Sequence, residues 1–119
     1  MKVLTLTVSK EWFDLICQNK KDEEYREIKP YWIGRLLQCF LGMRLQGSDF
    51  DGRILDLKAW MNEKQIVPKP FTHVLFINGY GKNRPRIEKE IVSITIGKPK
   101  KGLCPTEYLN KDYFIIKFK

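Results

Sequence analysis

Cysteine and histidine are scarce in this chain. It has three cysteines, Cys17, Cys39 and Cys104, none in C-x-x-C spacing, and a single histidine, His73. A zinc site of three or four Cys/His ligands is close to excluded, and so small and odd a cysteine set is not a disulfide framework. Neither a metal nor a cofactor is expected. Long apolar runs are also missing: nothing approaches the ~18 residues needed to cross a bilayer, so no membrane partner is expected. Met1 to Val8 alternates like a strand and does not build a secretory leader. With the cysteine usage, this points to a reducing, cytoplasmic compartment. Acids are outnumbered, 14 against 22 bases, and the net charge of +8 favours anionic partners such as nucleic acid or nucleotides.

What is present reads as one globular domain over residues 1–119. Hydrophobic residues make up 43% and aromatics 13%, enough to fill a core, and the length leaves no room for a second one.

Alternation over Lys2–Val8 predicts a half-buried strand. Ser9 suits a helix N-cap, and Trp12, Leu15 and Ile16 share a face of the helix that follows, ending near Asn19. Glu23–Lys29 reads as a short charged strand with Glu24, Arg26 and Ile28 on one face and Glu23, Tyr25 and Glu27 on the other. Pro30 opens a second helix carrying Trp32, Leu36 and Phe40 on one face, with Ile33 and Leu37 beside them. Residues 41–70 are interrupted by Gly42, Gly47 and Gly52 and closed by Pro68 and Pro70. They read as a peripheral insertion with a short amphipathic helix between Arg53 and Ile66. Phe71–Asn78, Arg86–Ile96 and Asp112–Phe118 are the remaining strands. In the middle one, Glu88 and Glu90 fall in phase with Val92, Ile94 and Ile96. The order β-α-β-α, insertion, β-β-β predicts an α+β fold whose mixed or antiparallel sheet curls into a small barrel.

Residues 82–101 hold seven bases, Lys82, Arg84, Arg86, Lys89, Lys98, Lys100 and Lys101, against two acids, Glu88 and Glu90. A localised positive field is what a phosphate-binding face requires, although solvated loops also use Lys and Arg for solubility. Tyr80, between two glycines, is placed either to stack on a base or to pack on the barrel. Trp12 and Trp32 read as core, Tyr31 as a border of any cleft, Cys17 and Cys39 as packing, and His73 as a structural histidine.

The sharpest local feature is Asn19-Lys20-Lys21-Asp22-Glu23-Glu24-Tyr25-Arg26, placed directly after the first helix. It resembles the Gly-x-Lys-x-x-Glu-x-Arg signature of the ASCH domain family, part of the PUA-like β-barrel superfamily. Lys21, Glu24 and Arg26 match, and Asn19 takes the Gly position, where asparagine tolerates positive φ. Glu27-Ile28-Lys29-Pro30-Tyr31-Trp32 and Asn78-Gly79-Tyr80-Gly81 also look like bacterial and phage members. The resemblance covers residues 1–40 and 71–119. It implies a small barrel whose cleft is lined by the Lys, Glu and Arg and takes RNA or nucleosides.

The residue chemistry is compatible with that expectation. A Glu and an Arg on a core-directed face must pair or line a wet cleft. Such a pair either closes one end of the barrel as a plain salt bridge or presents a guanidinium fork and a carboxylate to a planar ligand. Ligand-binding candidates are therefore Lys21, Glu24, Arg26, Tyr31 and Tyr80. Lys82, Arg84, Arg86, Lys98, Lys100 and Lys101 are the candidates for holding a nucleic-acid backbone.

The family also implies enzymes. Some small members are amidohydrolases acting on N-acetylated cytidine through a proposed Lys, Thr and Glu. Lys21 matches the first, but Glu24 occupies the Thr position, and no Ser or Thr lies between Ser9 and Ser48. Only Glu107 stands in the region of the last. Other members are credited with ribonuclease activity. If this chain turns over RNA or a modified nucleoside, Lys21 and Glu24 are its catalytic candidates.

Overall fold

A computed structural model of the protein describes residues 2–45 and 54–119. The expected breaks at Gly47 and Gly52 lie outside the described residues. The fold is α+β: strand β1 (Val3–Val8), helix α1 (Lys10–Cys17), β2 (Glu23–Arg26), α2 (Pro30–Leu36), β3 (Leu37–Cys39), α3 (Ile54–Asn62), β4 (Ile66–Pro68), β5 (His73–Asn78), β6 (Arg86–Gly97) and β7 (Tyr113–Phe118). Five strands form one mixed sheet in the order β1-β5-β6-β7-β2, with β1 parallel to β5 and the other pairs antiparallel. A separate two-stranded sheet pairs β3 with β4.

The alternation in β1 buries Leu4, Leu6 and Val8 and turns Thr5 and Thr7 away from the core. α1 lays Phe13 and Ile16 on the same core. Ser9 stands at its N-cap with extended backbone, although its side chain makes no capping bond. The helix stops where Asn19 takes φ 58°, the left-handed conformation expected at that position. The centre is filled by Val74, Phe76, Phe114, Ile116 and Phe118, with the Phe76 and Phe118 rings 4.9 Å apart.

Three features depart from expectation. α2 ends at Leu36, and residues 37–39 form β3, so Phe40 lies 57% exposed instead of on a helical face. The apolar run 36–41 fits either period, and pairing with the distant Ile66–Pro68 decides for strand. Second, the 41–70 stretch is not simply peripheral: Leu45, Leu57 and Ile66 are buried in the main core. Third, β6 carries a bulge between Ile91 and Ser93, pairing first with β5 and then with β7. The extra residue reverses the side-chain phase, so Ile94 is buried while Val92, Glu88 and Glu90 are exposed. The two glutamates are therefore not inward carboxylates; Glu90 pairs with Lys119 at 3.0 Å.

Backbone pairing leaves the sheet open. β1 and β2 are its two edges and share no ladder among the described residues. They are nevertheless neighbours: Nη2 of Arg26, on β2, donates to the Thr7 carbonyl of β1 at 2.9 Å. Lys2 and Val8 direct their carbonyls toward the β5 side, to Thr72 and Gly79. By alternation the Thr5 and Thr7 carbonyls point out of the sheet's free edge. Arg26 takes the second, and Arg35 of α2 takes the first. Guanidinium side chains thus span the seam between the two edges.

Candidate functional site

The segment 19–26 enters β2 through the left-handed turn at Asn19 and places Lys21, Glu23 and Glu24 in the interior, at 2%, 7% and 5% exposure. Three charges meet there. Glu24 Oε2 accepts from Arg26 Nη1 at 2.8 Å, and Glu24 Oε1 lies 3.4 Å from Lys21 Nζ and accepts the Tyr25 N–H at 3.2 Å. Lys21 also donates to the Leu103 carbonyl, and its ammonium sits 5.1 Å from the Trp12 ring and 4.8 Å from the Tyr25 ring. Burial pushes the Lys21 ammonium below its ordinary value, against the opposing pull of Glu24. Two cations against one carboxylate leave the cluster net positive. Glu23 belongs to a different network: it accepts from the Tyr25 hydroxyl at 2.8 Å and pairs with Lys100 Nζ at 3.5 Å.

Two hollows meet at Arg26. The inner one, about 80 Å³, is lined by Trp12, Glu24, Tyr25, Arg26, Leu103, Cys104, Pro105 and Tyr108. The outer one, about 460 Å³, is lined by Thr5, Thr7, Arg26, Tyr31, Trp32, Arg35 and Tyr80. Small-molecule sites span roughly 300–1,000 Å³. Of these two, the outer hollow alone falls in that range, and the Lys21–Glu24 pair holds Arg26 from behind it.

The outer wall combines aromatic rings with guanidinium groups. Trp32 has two guanidinium carbons over its ring, Arg26 at 5.3 Å and Arg35 at 5.2 Å, and Tyr31 meets it edge-on at 4.9 Å. Arg35 Nη1 reaches the Tyr31 hydroxyl at 3.4 Å, one helical turn away. Tyr31 and Tyr80 are 61% and 82% exposed, large aromatics held in water. Gly79 at φ +75° and Gly81 at φ +103° make the turn that carries Tyr80, and Arg84 Nε clasps its carbonyl at 2.6 Å.

Of the residues read from sequence, Lys21, Glu24 and Arg26 meet in one cluster, and Tyr31 and Tyr80 line the hollow that continues from it. Trp12 and Trp32 are both half-buried; Trp12 walls the inner hollow, and Trp32 walls the outer one while packing against the main core. Arg35 was missed, although its spacing of four from Tyr31 marks it as a helix-face neighbour of an aromatic already in view. The six basic candidates divide. Lys82 and Arg84 are exposed on the loop that carries Tyr80, and Arg86 is exposed at the first position of β6. Lys98 and Lys100 leave the far end of β6 and meet acids: Lys98 pairs with Asp112 at 3.8 Å, and Lys100 with Asp22 at 3.8 Å as well as with Glu23. Lys101 is exposed beside them. Cys17 is exposed rather than packed, and Cys104, unremarked in the sequence, lies buried in the inner hollow, where burial pushes its thiol up. His73 accepts or donates at Thr72 Oγ1, 2.9 Å away. Among the described residues, no His/Cys/Asp/Glu group is clustered to hold a metal. No described helix is long and apolar enough to cross a membrane.

No family model, curated protein or solved structure matches this chain. The site's geometry and the motif at residues 19–26 therefore carry the functional reading.

Proposed function

We propose that this chain is an ASCH-type, PUA-like module of the cytoplasm that binds RNA or a nucleotide. The observation that carries the reading is the outer hollow: two guanidinium groups over one indole, two exposed tyrosines, and room for a nucleobase with its sugar. Aromatic faces stack on any base, at about 1–3 kcal/mol per base, and guanidinium forks recognise phosphate. The Arg26–Thr7 bridge across the two sheet edges supports the barrel half of the proposal, since side chains draw together what the ladder leaves open. Lys82 and Arg84, on the same loop as Tyr80, and Arg86, at the start of β6, would follow a backbone leaving the hollow.

The alternative, a hydrolase acting on RNA or a modified nucleoside, draws on one specific observation. The buried Lys21 ammonium loses its proton more readily than usual beside Glu24, as a general base requires. Against this stands the small inner hollow.

Titration calorimetry with nucleoside monophosphates and short single-stranded RNA tests the proposal. Binding that weakens about tenfold in Arg35→Ala and in Tyr80→Ala, with unfolding temperatures unchanged, is the expected result. Absence of binding, or binding indifferent to both substitutions, refutes it. Turnover of either ligand, lost in Lys21→Met, favours the hydrolase.

A further inference from the structure

A second pair of cavities lies away from Arg26. One, about 520 Å³, is lined by α3 and the residues after it together with three consecutive residues of β4, Ile66–Pro68, and three of β6, Ile94–Ile96. The other, about 250 Å³, is lined by Pro68, Lys69, Phe71 and the consecutive β6 residues 91–94. Pro68 and Ile94 line both, so the two form one groove along β6. Consecutive residues of a strand alternate between the faces of a sheet but all reach its edge. A lining made of such runs is an edge-on lining.

Among the described residues, the hydrogen bonds leave those edges unpaired. Phe118 N–H is spent on Asp22 toward β2, so Lys117 turns to β6 and pairs with Ser93. Alternation then sends the N–H and C=O of Ile94 and Ile96 to the other edge of β6, where the β5 ladder has already ended at Glu90. In β4, the Gln65 carbonyl and the Lys69 N–H go to the β3 side, which turns Ile66 and Pro68 outward. Neither outward edge carries a ladder among the described residues. Open edges of this kind are templates for an added strand.

The charge around the groove selects the guest. Lys58, Lys64 and Lys69 line it, and among the described residues no acid does. Lys58 meets Asp112 at 3.2 Å, outside the lining. Burial, and then the neighbouring Lys2 and Arg44, push the Lys69 ammonium down, a mark of crowded positive charge. The floor is apolar: Met61, Ile66, Ile94 and Ile96.

We infer that the β4–β6 groove is a docking site for an extended peptide segment of a protein partner, alternating acidic and apolar residues, which adds as a strand to the Ile94–Ile96 edge. This interaction is independent of the nucleotide reading and uses none of its residues.

The test is amide hydrogen exchange on the full chain with and without a capped peptide alternating valine and glutamate. The Ile94 and Ile96 amides are expected to exchange faster in the protein alone than those of Ser93 and Thr95, which face β7. At a peptide concentration of 100 times Kd they slow by about 100-fold. The same peptide N-methylated on its edge-facing amides is expected not to bind. Reversing charge in Lys64→Glu with Lys69→Glu weakens the parent peptide by about tenfold or more, while nucleotide affinity and unfolding temperature stay put. The inference is overturned if both amides are already protected in the free protein, including by concentration-dependent self-association. It is equally overturned if saturating peptide leaves them unprotected, or if the N-methylated or a valine–lysine peptide binds as well.

Discussion

Neutralising Glu24 is the most demanding test of how the site is built. Its carboxylate is 5% exposed and is the shared counter-charge of Lys21 at 3.4 Å and Arg26 at 2.8 Å. Glu24→Gln keeps the shape and removes the charge. It leaves the Lys21 side chain, at 1% exposure, and the Arg26 side chain, at 18%, as facing cations with no carboxylate between them. Breaking one partner out of a buried ion cluster costs about 3–5 kcal/mol. A domain of this size holds about 5–15 kcal/mol in all, so the loss lowers the unfolding temperature by roughly 10–25 °C. Urea unfolding followed by Trp fluorescence measures it. The double substitution Lys21→Met with Glu24→Gln removes one of the stranded cations and is expected to recover about 1–3 kcal/mol relative to additivity. A Glu24→Gln loss below about 1 kcal/mol, or additive single effects, refutes the buried-cluster account.

Three further outcomes follow from the structure. Burial raises the Tyr25 and Tyr113 phenols above the ordinary value near 10, so both hold their protons longer in the folded chain than in the unfolded one. The stability they contribute is present below pH 10 and drains away as pH rises above it; absorbance titration of the phenolate should show these two ionising late, and Tyr25→Phe should flatten part of the alkaline stability loss. Replacing Lys82, Arg84 and Arg86 together by glutamine is expected to lower the slope of log K against log salt for single-stranded RNA by about 2, at ~0.7 per phosphate contact, whereas an unchanged slope removes that loop from the interface. Leu57→Ala, at a fully buried position in the 41–70 stretch, is expected to cost about 2–5 kcal/mol in urea unfolding, and a loss under about 0.5 kcal/mol shows the stretch to be dispensable packing.

The sequence made the local features legible and hid the non-local ones. β1, β2, β5 and β7 are visible from alternation and their Gly and Pro borders, and α1 from its apolar face and the asparagine after it. The bulge in β6 carries no Gly or Pro to mark it, so Glu88 and Glu90 read as in phase with Ile94 and Ile96 although the extra residue puts them on the opposite side. The end of α2 depends on β4, about 30 residues away along the chain, and nothing in Leu36–Phe40 itself distinguishes strand from helix. At the site, spacing put Glu24 and Arg26 on one strand face and left a plain salt bridge as one outcome, while Lys21 joined them through the resemblance of residues 19–26 to the ASCH signature. Their degree of burial was not legible, because the closing contacts come from Leu103 and Trp12. The split among the basic residues was equally hidden, since Asp112, Asp22 and Glu23 reach Lys98 and Lys100 only in the folded chain.

A guest held outside Arg26, against Trp32, leaves a different mark on the two indoles from one held inside against Trp12. Titrating the isotopically labelled protein with a nucleoside monophosphate and following the indole N–H resonances, with the Arg26 and Arg35 Nε–H resonances, distinguishes the two. Trp32, Arg26 and Arg35 are expected to shift together and saturate at one Kd while Trp12 stays in place; a shift confined to Trp12, or none at either indole, contradicts the proposed binding in the outer hollow.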